Sequence, residues 1–310
     1  MESQLTIGPI LFHWAADTRR NFYHRIADEA PVGTVYLGEV VCSKRAPFFE
    51  EEYADIAERL KRGGKTVVFS SLAEVMVVRE RKMTEGLCSL DEFEVEANDA
   101  SALYHLRGRP HRIGQYVNVY NEESLRKLVA NGATHVAVPS ELPKEALAKL
   151  AMAAKKVNIG LEVQVFGRTG LALSARCYHA RAHGRVKDNC QFVCENDPDG
   201  MDLQTLGGQE FLSVNGVQTL SHGYLNLMQE MPEMQGMGIT HFRISPHTGD
   251  MVAITTLFHD VMTGRMDAGT ALEVLGQNDK NRSWSNGFYH HKEGYLWVSP
   301  VDQGYSTERA

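Results

Sequence analysis

Short apolar, β-branched runs alternate along the chain with longer amphipathic stretches. The short runs predict eight strands, at residues 5–7, 34–37, 66–70, 93–96, 116–120, 135–139, 160–166 and 241–245. The clearest helical stretches cover residues 48–62, 121–130 and 143–157. Strands separated by helices form parallel sheets through right-handed crossovers. The pattern therefore predicts an α/β fold, either a (β/α) barrel of the TIM type or a variant of it, with a doubly wound open sheet as the alternative.

Two regions interrupt this alternation. Residues 167–208 are polar, irregular and rich in arginine, and long irregular connections in compact domains are usually functional or disordered. Residues 278–310 are rich in glycine, serine and aromatic residues. We therefore expect a barrel domain over residues 1–277 that includes the cysteine-bearing segment 167–208, and a C-terminal extension over residues 278–310 that packs on the barrel.

The composition is that of a soluble globular protein. Of the 310 residues, 43% are hydrophobic and 23% are charged, and the formal net charge is −7. A mildly acidic chain binds phosphate backbones poorly, so a nucleic-acid partner is not expected. No signal peptide or transmembrane segment is visible, which predicts a cytoplasmic protein.

Three of the five cysteines lie close together in the irregular segment. Twelve residues separate Cys177 from Cys190 and three separate Cys190 from Cys194, so on a helix the last pair would share one face. Cys42 follows the second predicted strand, which places it at the mouth of a barrel. Four cysteines are the usual ligand set of an iron–sulfur cluster. A zinc site and ordinary buried cysteines remain alternatives, and Cys88 lies in an apolar context that indicates core packing.

Polar residues near these cysteines have two interpretations each. Lys44 and Arg45 either stabilise a cluster or bind an anionic substrate, or they are exposed loop charges. Glu39 either orients a ligand or is a solvated carboxylate. His179 and His183 are four residues apart, as zinc ligands on a helix are, but no glutamate follows His179 as in the metalloprotease motif.

The predicted strands also carry polar residues that alternate with apolar ones. Glu162 and Gln164 occupy alternate positions of one strand, and Arg243 lies within the last strand, so all three could point into the barrel. The sequence contains neither a G-x-G-x-x-G loop nor a Walker A loop. Flavin, NAD and ATP are therefore not implied.

The stretch YLGEVVCSKR at residues 36–45, SARC at residues 174–177 and the following Cys190 and Cys194 carry a resemblance. The chain resembles the collagenase-like peptidase family, and within it the iron–sulfur branch that acts in oxygen-independent ubiquinone biosynthesis. Residues 215–219, 234–236 and 243–246 extend the resemblance over roughly residues 4–290.

This resemblance implies a [4Fe-4S] cluster whose ligands would be Cys42, Cys177, Cys190 and Cys194. It also implies a heterodimer with a UbiU-like protein, a quinone-precursor substrate, and hydroxylation of the ubiquinone ring with prenate, rather than O2, as a possible oxygen donor. It assigns no catalytic residue. The peptidase branch has a tighter pattern around its cysteines, so peptidase activity is not implied. A metal-dependent peptidase or hydrolase of the barrel type, and a non-catalytic subunit with a structural metal, stay open as alternatives.

Overall fold

The computed structural model describes residues 3–278 and 282–299, which contain twelve strands. The strands are β1 (Gln4–Ile7), β2 (Thr34–Leu37), β3 (Thr66–Ser70), β4 (Glu94–Ala97), β5 (His111–Ile113), β6 (Ala133–Ala137), β7 (Gly160–Leu173), β8 (Met201–Gln204), β9 (Glu210–Asn215), β10 (Gln218–Asn226), β11 (His241–Ile244) and β12 (Trp284–Ser285). Strands β1 to β7 pair in parallel in chain order, and β11 pairs in parallel with both β1 and β7. The sheet of eight parallel strands is therefore closed, and the predicted TIM-type barrel is confirmed.

Helices connect successive strands of the barrel. They are α1 (Ala16–Glu29), α2 (Tyr53–Arg62), α3 (Val78–Cys88), α4 (Ala100–His105), α5 (Glu122–Ala130), α6 (Lys144–Lys156), α7 (Tyr178–Ala182), α8 (Met231–Met237), α9 (Met251–Met262) and α10 (Ala268–Asn278). Helix α5 begins where the sequence predicts, because the side chain of Asn121 accepts a hydrogen bond from the Ser124 amide. Helix α2 buries Ile56, Ala57 and Leu60 against the barrel. No helix in the described part of the chain is long and apolar enough to cross a membrane.

The fifth strand differs from the prediction. The structure has a three-residue strand at His111–Ile113, and the predicted segment 116–120 instead continues a 3-10 turn at Gln115–Val117. Asn118 then adopts a left-handed conformation with φ of 59°. A strand of three residues that includes a histidine and an arginine has almost no apolar pattern. The Tyr and Val residues that follow it have a high strand propensity, so the sequence predicts the strand there instead.

Strand β7 has 14 residues, against five in β6 and four in β11, and it extends out of the barrel. Its first half pairs in parallel with β6 and β11, and its second half pairs antiparallel with β10, which begins the smaller sheet β7–β10–β9–β8. The change occurs at Gly167, where φ is 108° and a Cβ atom would lie 2.7 Å from the Ser245 Cβ. Only glycine fits this conformation and this close approach. The cysteine-bearing segment thus starts from an arm that extends beyond the barrel mouth.

The barrel interior contains a buried ion network. Glu162 accepts hydrogen bonds from Thr6 Oγ1, from Tyr36 Oη at 2.9 Å and from Arg243 Nη2 at 2.6 Å, and Arg243 also pairs with Glu96. Burial alone would raise the pKa of Glu162, but Arg243 and His135 hold it well below its ordinary value. Two of the three predicted interior residues therefore neutralise each other inside the barrel.

The C-terminal residues 282–299 contact the barrel domain. Strand β12 pairs in parallel with β10, the Asn286 Nδ2 donates to Glu230 at 2.8 Å, and the buried Tyr289 donates to Glu233 at 2.8 Å. Residues 279–281 and 300–310 of the predicted extension lie outside the described residues. The division of the chain at residue 277 stays a prediction.

Candidate metal centre

Cys42 is positioned by a turn that follows β2. The turn begins at Gly38, whose φ is 114° and whose Cβ would lie 2.6 Å from the Ser70 carbonyl oxygen. Glu39 Oε1 then accepts hydrogen bonds from the Val41 amide at 2.8 Å and the Cys42 amide at 2.9 Å. The carboxylate that sequence analysis considered as a ligand-orienting group therefore fixes the backbone of Cys42.

The other three cysteines lie in the segment between β7 and β8. Cys177 Sγ accepts a hydrogen bond from the Ala180 amide at 3.4 Å at the start of α7. The helix that would place Cys190 and Cys194 on one face is not formed, because Gln191 and Phe192 are both left-handed, with φ of 50° and 52°. Two consecutive non-glycine residues in this region are unusual and strained. They separate two 3-10 turns, and both flanking cysteines are buried.

The fold brings Cys42, Cys177, Cys190 and Cys194 into one electrostatic neighbourhood. Burial raises the pKa of the Cys177 thiol, and Cys42 and Cys190 raise it further. Burial also raises the pKa of the Cys194 thiol, with Arg45 opposing and both Cys177 and Cys190 adding to the increase. Charges affect one another this strongly only over short distances. Loops that are more than 130 positions apart in sequence thus meet at a single site.

The sulfur atoms are spaced more widely than the ligands of a single metal ion. No three of these cysteine sulfurs form a set within 4.8 Å of one another. Four thiolates on one tetrahedral zinc ion, with Zn–S bonds of about 2.3 Å, would lie about 3.8 Å apart. The cysteine sulfurs therefore do not have the spacing of a four-cysteine zinc site.

Arg45 lies beside these sulfurs and is 1% exposed. Its Nη1 donates to the Leu11 carbonyl and its Nη2 to Asn215 Oδ1, both at 2.9 Å, and the guanidinium also hydrogen-bonds Cys194. Its Nε has no hydrogen-bond partner. A buried guanidinium with an unused donor needs a compensating negative charge nearby. Arg45 is therefore not the exposed loop charge that was one of its two interpretations, and it suits a site that holds thiolates.

Aromatic side chains cover one side of the cysteine site. The His13 ring lies 5.3 Å from Phe48, 5.8 Å from Phe49 and 5.7 Å from Phe192, measured between centroids. Burial, followed by the charges of Arg45 and Arg19, lowers the pKa of His13 to about 4. The imidazole is thus neutral at physiological pH. It packs among these aromatic rings near the buried guanidinium of Arg45.

A second set of ligand atoms lies next to Cys177. The ligand atoms of His179, His183 and Asp197 all lie within 4.8 Å of one another, which makes them a possible metal-binding group. His179 Nε2 is 2.7 Å from Asp197 Oδ2, and its buried Nδ1 has no partner. Burial is the main reason that the pKa of His179 is lowered. Sequence analysis identified the two histidines by their spacing, but nothing in the sequence pointed to Asp197.

Comparison with known proteins assigns the family. The family model described as peptidase family U32 matches residues 15–299. The chain belongs to the U32 family. The expected membership of the collagenase-like peptidases is therefore confirmed at the level of the family, and no finer identity is assigned by this match.

Among solved structures, the chain is similar to one described as the crystal structure of an uncharacterized B. cereus protein. The two chains are 11% identical with a TM-score of 0.37, and the similarity covers 79% of this U32 chain and 61% of the other. The U32 chain thus spans less than two thirds of the length of that protein.

The fifth cysteine of the U32 chain lies apart from the other four. Cys88 is 1% exposed and packs in a small apolar cluster with Val95, Ala102 and Leu106. Burial raises the pKa of its thiol to about 11. Its surroundings are those of a packing residue, as its apolar sequence context predicts, and it serves as a natural control for the other cysteines.

Proposed function

We propose that this U32 protein is a UbiV-like iron–sulfur protein in which Cys42, Cys177, Cys190 and Cys194 ligate a [4Fe-4S] cluster. It would act with a UbiU-like partner in the oxygen-independent hydroxylation of the ubiquinone ring, on a quinone-precursor substrate, with prenate as a possible oxygen donor. The observation that carries the proposal is the meeting of these four cysteines around one buried arginine.

The donor set fits such a cluster in three respects. Four thiol groups match its ligand number, and no three of the sulfurs lie as close together as the ligands of a single ion do. Arg45 supplies a buried positive charge with one unused donor, as a negatively charged cluster requires. When bound, the cluster would supply one-electron redox chemistry, which no side chain of this chain provides.

The protein's own residues would define the environment of this centre. Glu39 holds the amides of Val41 and Cys42, so the first ligand keeps a fixed position. Lys44 Nζ donates to the carbonyl oxygens of Lys187 at 2.8 Å and Asp188 at 3.1 Å, which ties the Cys42 loop to the cysteine-bearing segment. The aromatic rings of Phe49 and Phe192 pack against His13 near the buried Arg45.

Metal analysis after anaerobic purification tests the cluster. We expect a brown protein with about four iron and four sulfide per chain. Substitution of Cys177, Cys190 or Cys194 by alanine should abolish bound iron, because each leaves one iron without its thiolate. Cys88→Ala is the matched control and should keep the wild-type iron content. Full iron retention in Cys190→Ala, or a colourless protein with one zinc ion, would show that the assignment is wrong.

A metal-dependent hydrolase is the second candidate, because the His179, His183 and Asp197 group offers ligands for a single ion with open positions. The same metal analysis separates the two. Zinc that persists in the cysteine variants and disappears in His183→Ala would favour hydrolysis. Iron that disappears in the cysteine variants and persists in His183→Ala would favour the redox protein, or a non-catalytic subunit with a structural cluster.

Co-expression with a UbiU-like protein tests the partner. We expect the two chains to elute together at the mass of a heterodimer, and each to keep its own metal content. Separate elution at micromolar concentration, with the cluster spectrum intact, would contradict the heterodimer without affecting the cluster assignment.

A further inference from the structure

A mostly apolar cavity of about 460 Å³ is lined by residues of α2, α3 and the carboxyl end of β3. Three of its lining residues carry aromatic rings that meet edge to face. The centroids of Tyr53 and Phe69 lie 5.9 Å apart, and those of Phe69 and Phe93 lie 5.0 Å apart. The volume falls within the range of small-molecule sites, about 300 to 1,000 Å³. A flat ring therefore has both room and edge-to-face partners in this cavity.

Two buried polar residues, Glu39 and Thr84, line the same cavity, and each has one polar atom without a hydrogen-bond partner. Glu39 is 6% exposed; its Oε1 accepts from the amides of Val41 and Cys42, whereas its Oε2 accepts no hydrogen bond. Thr84 is 2% exposed, and its hydroxyl forms no hydrogen bond either. Buried polar atoms are nearly always hydrogen-bonded, and leaving them unpaired is costly. Two such atoms on the residues of one cavity therefore indicate a ligand that supplies their partners.

The charges around the cavity favour a neutral ligand. The fully buried Arg19 donates to the carbonyl oxygen of Gly38 at 3.3 Å and to the hydroxyl of Tyr53 at 2.9 Å, and both of these residues line the cavity. Its positive charge thus opposes that of a cationic ligand. The other charged lining residues are Glu50 and Lys82, which are exposed and opposite in sign. An anionic ligand would leave solvent to lie against the buried carboxylate, which is unfavourable.

We propose that this cavity binds a neutral phenol with an apolar substituent, held through Glu39 and Thr84. A phenol hydroxyl donates and accepts hydrogen bonds, so it suits both a carboxylate oxygen and a threonine hydroxyl. The aromatic and aliphatic lining takes up the ring and its substituent. Because Glu39 also holds the Cys42 amide, the bound hydroxyl would lie close to the loop that carries Cys42. Binding depends on the cavity residues alone, and only the identity of the phenol as the quinone precursor rests on the proposed function.

Calorimetric titration of the anaerobically purified protein tests this proposal, with 4-propylphenol, 4-propylanisole and 4-propylbenzoate as probes. The anisole keeps the ring and the oxygen but cannot donate, and the benzoate is an anion. We expect the phenol to bind about ten-fold more tightly than either. Thr84→Val should weaken phenol binding about five-fold, and Leu87→Trp, which fills the cavity, about ten-fold or more. Leu128→Trp is the matched control and should bind as the wild type does, because Leu128 is a half-buried leucine on α5 that does not line this cavity.

Equal binding of the phenol and the anisole, tighter binding of the benzoate, or unchanged phenol affinity in both cavity variants would overturn the proposal. So would an equal loss of affinity in Leu87→Trp and Leu128→Trp, since filling the cavity would then have no effect of its own. Each titration is accompanied by iron analysis. Cys177→Ala should lose iron and keep its phenol affinity, because Cys177 does not line the cavity. Phenol binding by a wild-type protein without iron would support the cavity while contradicting the cluster, so the two failures are distinguishable.

Discussion

Replacement of Arg45 by methionine removes the buried charge beside the cysteines and keeps an unbranched side chain. In the native protein the guanidinium donates to Leu11 and Asn215 and hydrogen-bonds Cys194. Because reduction adds negative charge to a cluster, a nearby cation stabilises the reduced form. We expect Arg45→Met to lower both the reduction potential and the iron content.

Coulomb's law gives the order of magnitude of this effect. Two unit charges about 4 Å apart interact by about 4 kcal/mol at an effective dielectric constant of about 20. The added electron is spread over the whole cluster, so about half of this energy, about 2 kcal/mol, reaches Arg45. For a one-electron couple 1.4 kcal/mol corresponds to about 59 mV, so the potential should fall by about 85 mV. Loss of the donor to Asn215 Oδ1 should also lower the free energy of unfolding by about 1–3 kcal/mol.

Anaerobic redox titration followed by electron paramagnetic resonance measures the potential, and urea unfolding measures the stability separately. Arg45→Lys keeps the charge and should recover most of the potential even where its hydrogen bonds are poorer. Arg79→Met is the control, because Arg79 donates to Ser43 Oγ at 2.8 Å in the loop that carries Cys42. A wild-type potential and iron content in Arg45→Met would refute the counter-ion role.

Three further outcomes are expected. Cys42 and Cys177 are half-buried, so oxygen can reach their sulfurs. The colour of the protein should therefore bleach in air and return when iron, sulfide and reductant are added. Colour that survives prolonged aeration would contradict an accessible cluster. Burial, together with the charge of His135, lowers the pKa of His241 to about 3, below its unfolded value of about 6.5. Its contribution to stability is thus complete above pH 6.5 and declines as the pH falls, by about 2 kcal/mol between pH 6.5 and 5. Urea unfolding at both pH values should show this loss, and His241→Asn should reduce it. Tyr289→Phe removes a buried hydroxyl and should lower the free energy of unfolding by about 1 kcal/mol, whereas Tyr104→Phe, 77% exposed, should change nothing.

The barrel was largely predictable because its signals are local. Residues 66–70 form an apolar run that coincides with β3, and Asn121 caps α5 through its own side chain. The fifth strand was missed because its stability comes from elsewhere. Arg112, at the centre of that strand, pairs with Glu94 at 2.6 Å and hydrogen-bonds the Tyr36 hydroxyl at 3.2 Å. A pattern of apolar residues cannot reveal a strand held by ion pairs inside a barrel.

The grouping of the cysteines could be predicted from the sequence, whereas the residues that surround them could not. Spacing identified Cys177, Cys190 and Cys194 as a group, whereas Arg45 and Asn215 are 170 positions apart and meet only because the barrel closes. The spacing of Cys190 and Cys194 would place both on one face of a helix, and the structure has two 3-10 turns there instead. Tertiary contacts impose the left-handed conformation of Gln191 and Phe192. One of these contacts is the packing of the Phe192 ring against the Phe48 ring, whose centroids lie 4.8 Å apart.

The cavities near the carboxyl ends of the strands indicate where a substrate has room to bind. Most TIM-barrel enzymes react at the carboxyl ends of their strands. Here the space beneath Pro9 and Val40 is about 10 Å³, which holds no more than one water molecule. Larger cavities of about 460 Å³ and 240 Å³ open at the loops that follow β2 and β3 and at those that follow β5 and β6. Arg243, whose charge could have bound a substrate there, is already paired with Glu96 and Glu162.

A further cavity of about 510 Å³ lies beside Cys177, outside the barrel interior. A reactant there would approach the cysteine centre from the side of the arm formed by β7, and it would not need to enter the barrel. The barrel then acts as the frame that brings the Cys42 loop and the cysteine-bearing segment together. Gln164→Ala, which enlarges the space beneath Pro9 and Val40, should therefore leave the iron content and the optical spectrum of the protein unchanged, and a loss of iron in that variant would show that the cysteine centre depends on the barrel interior.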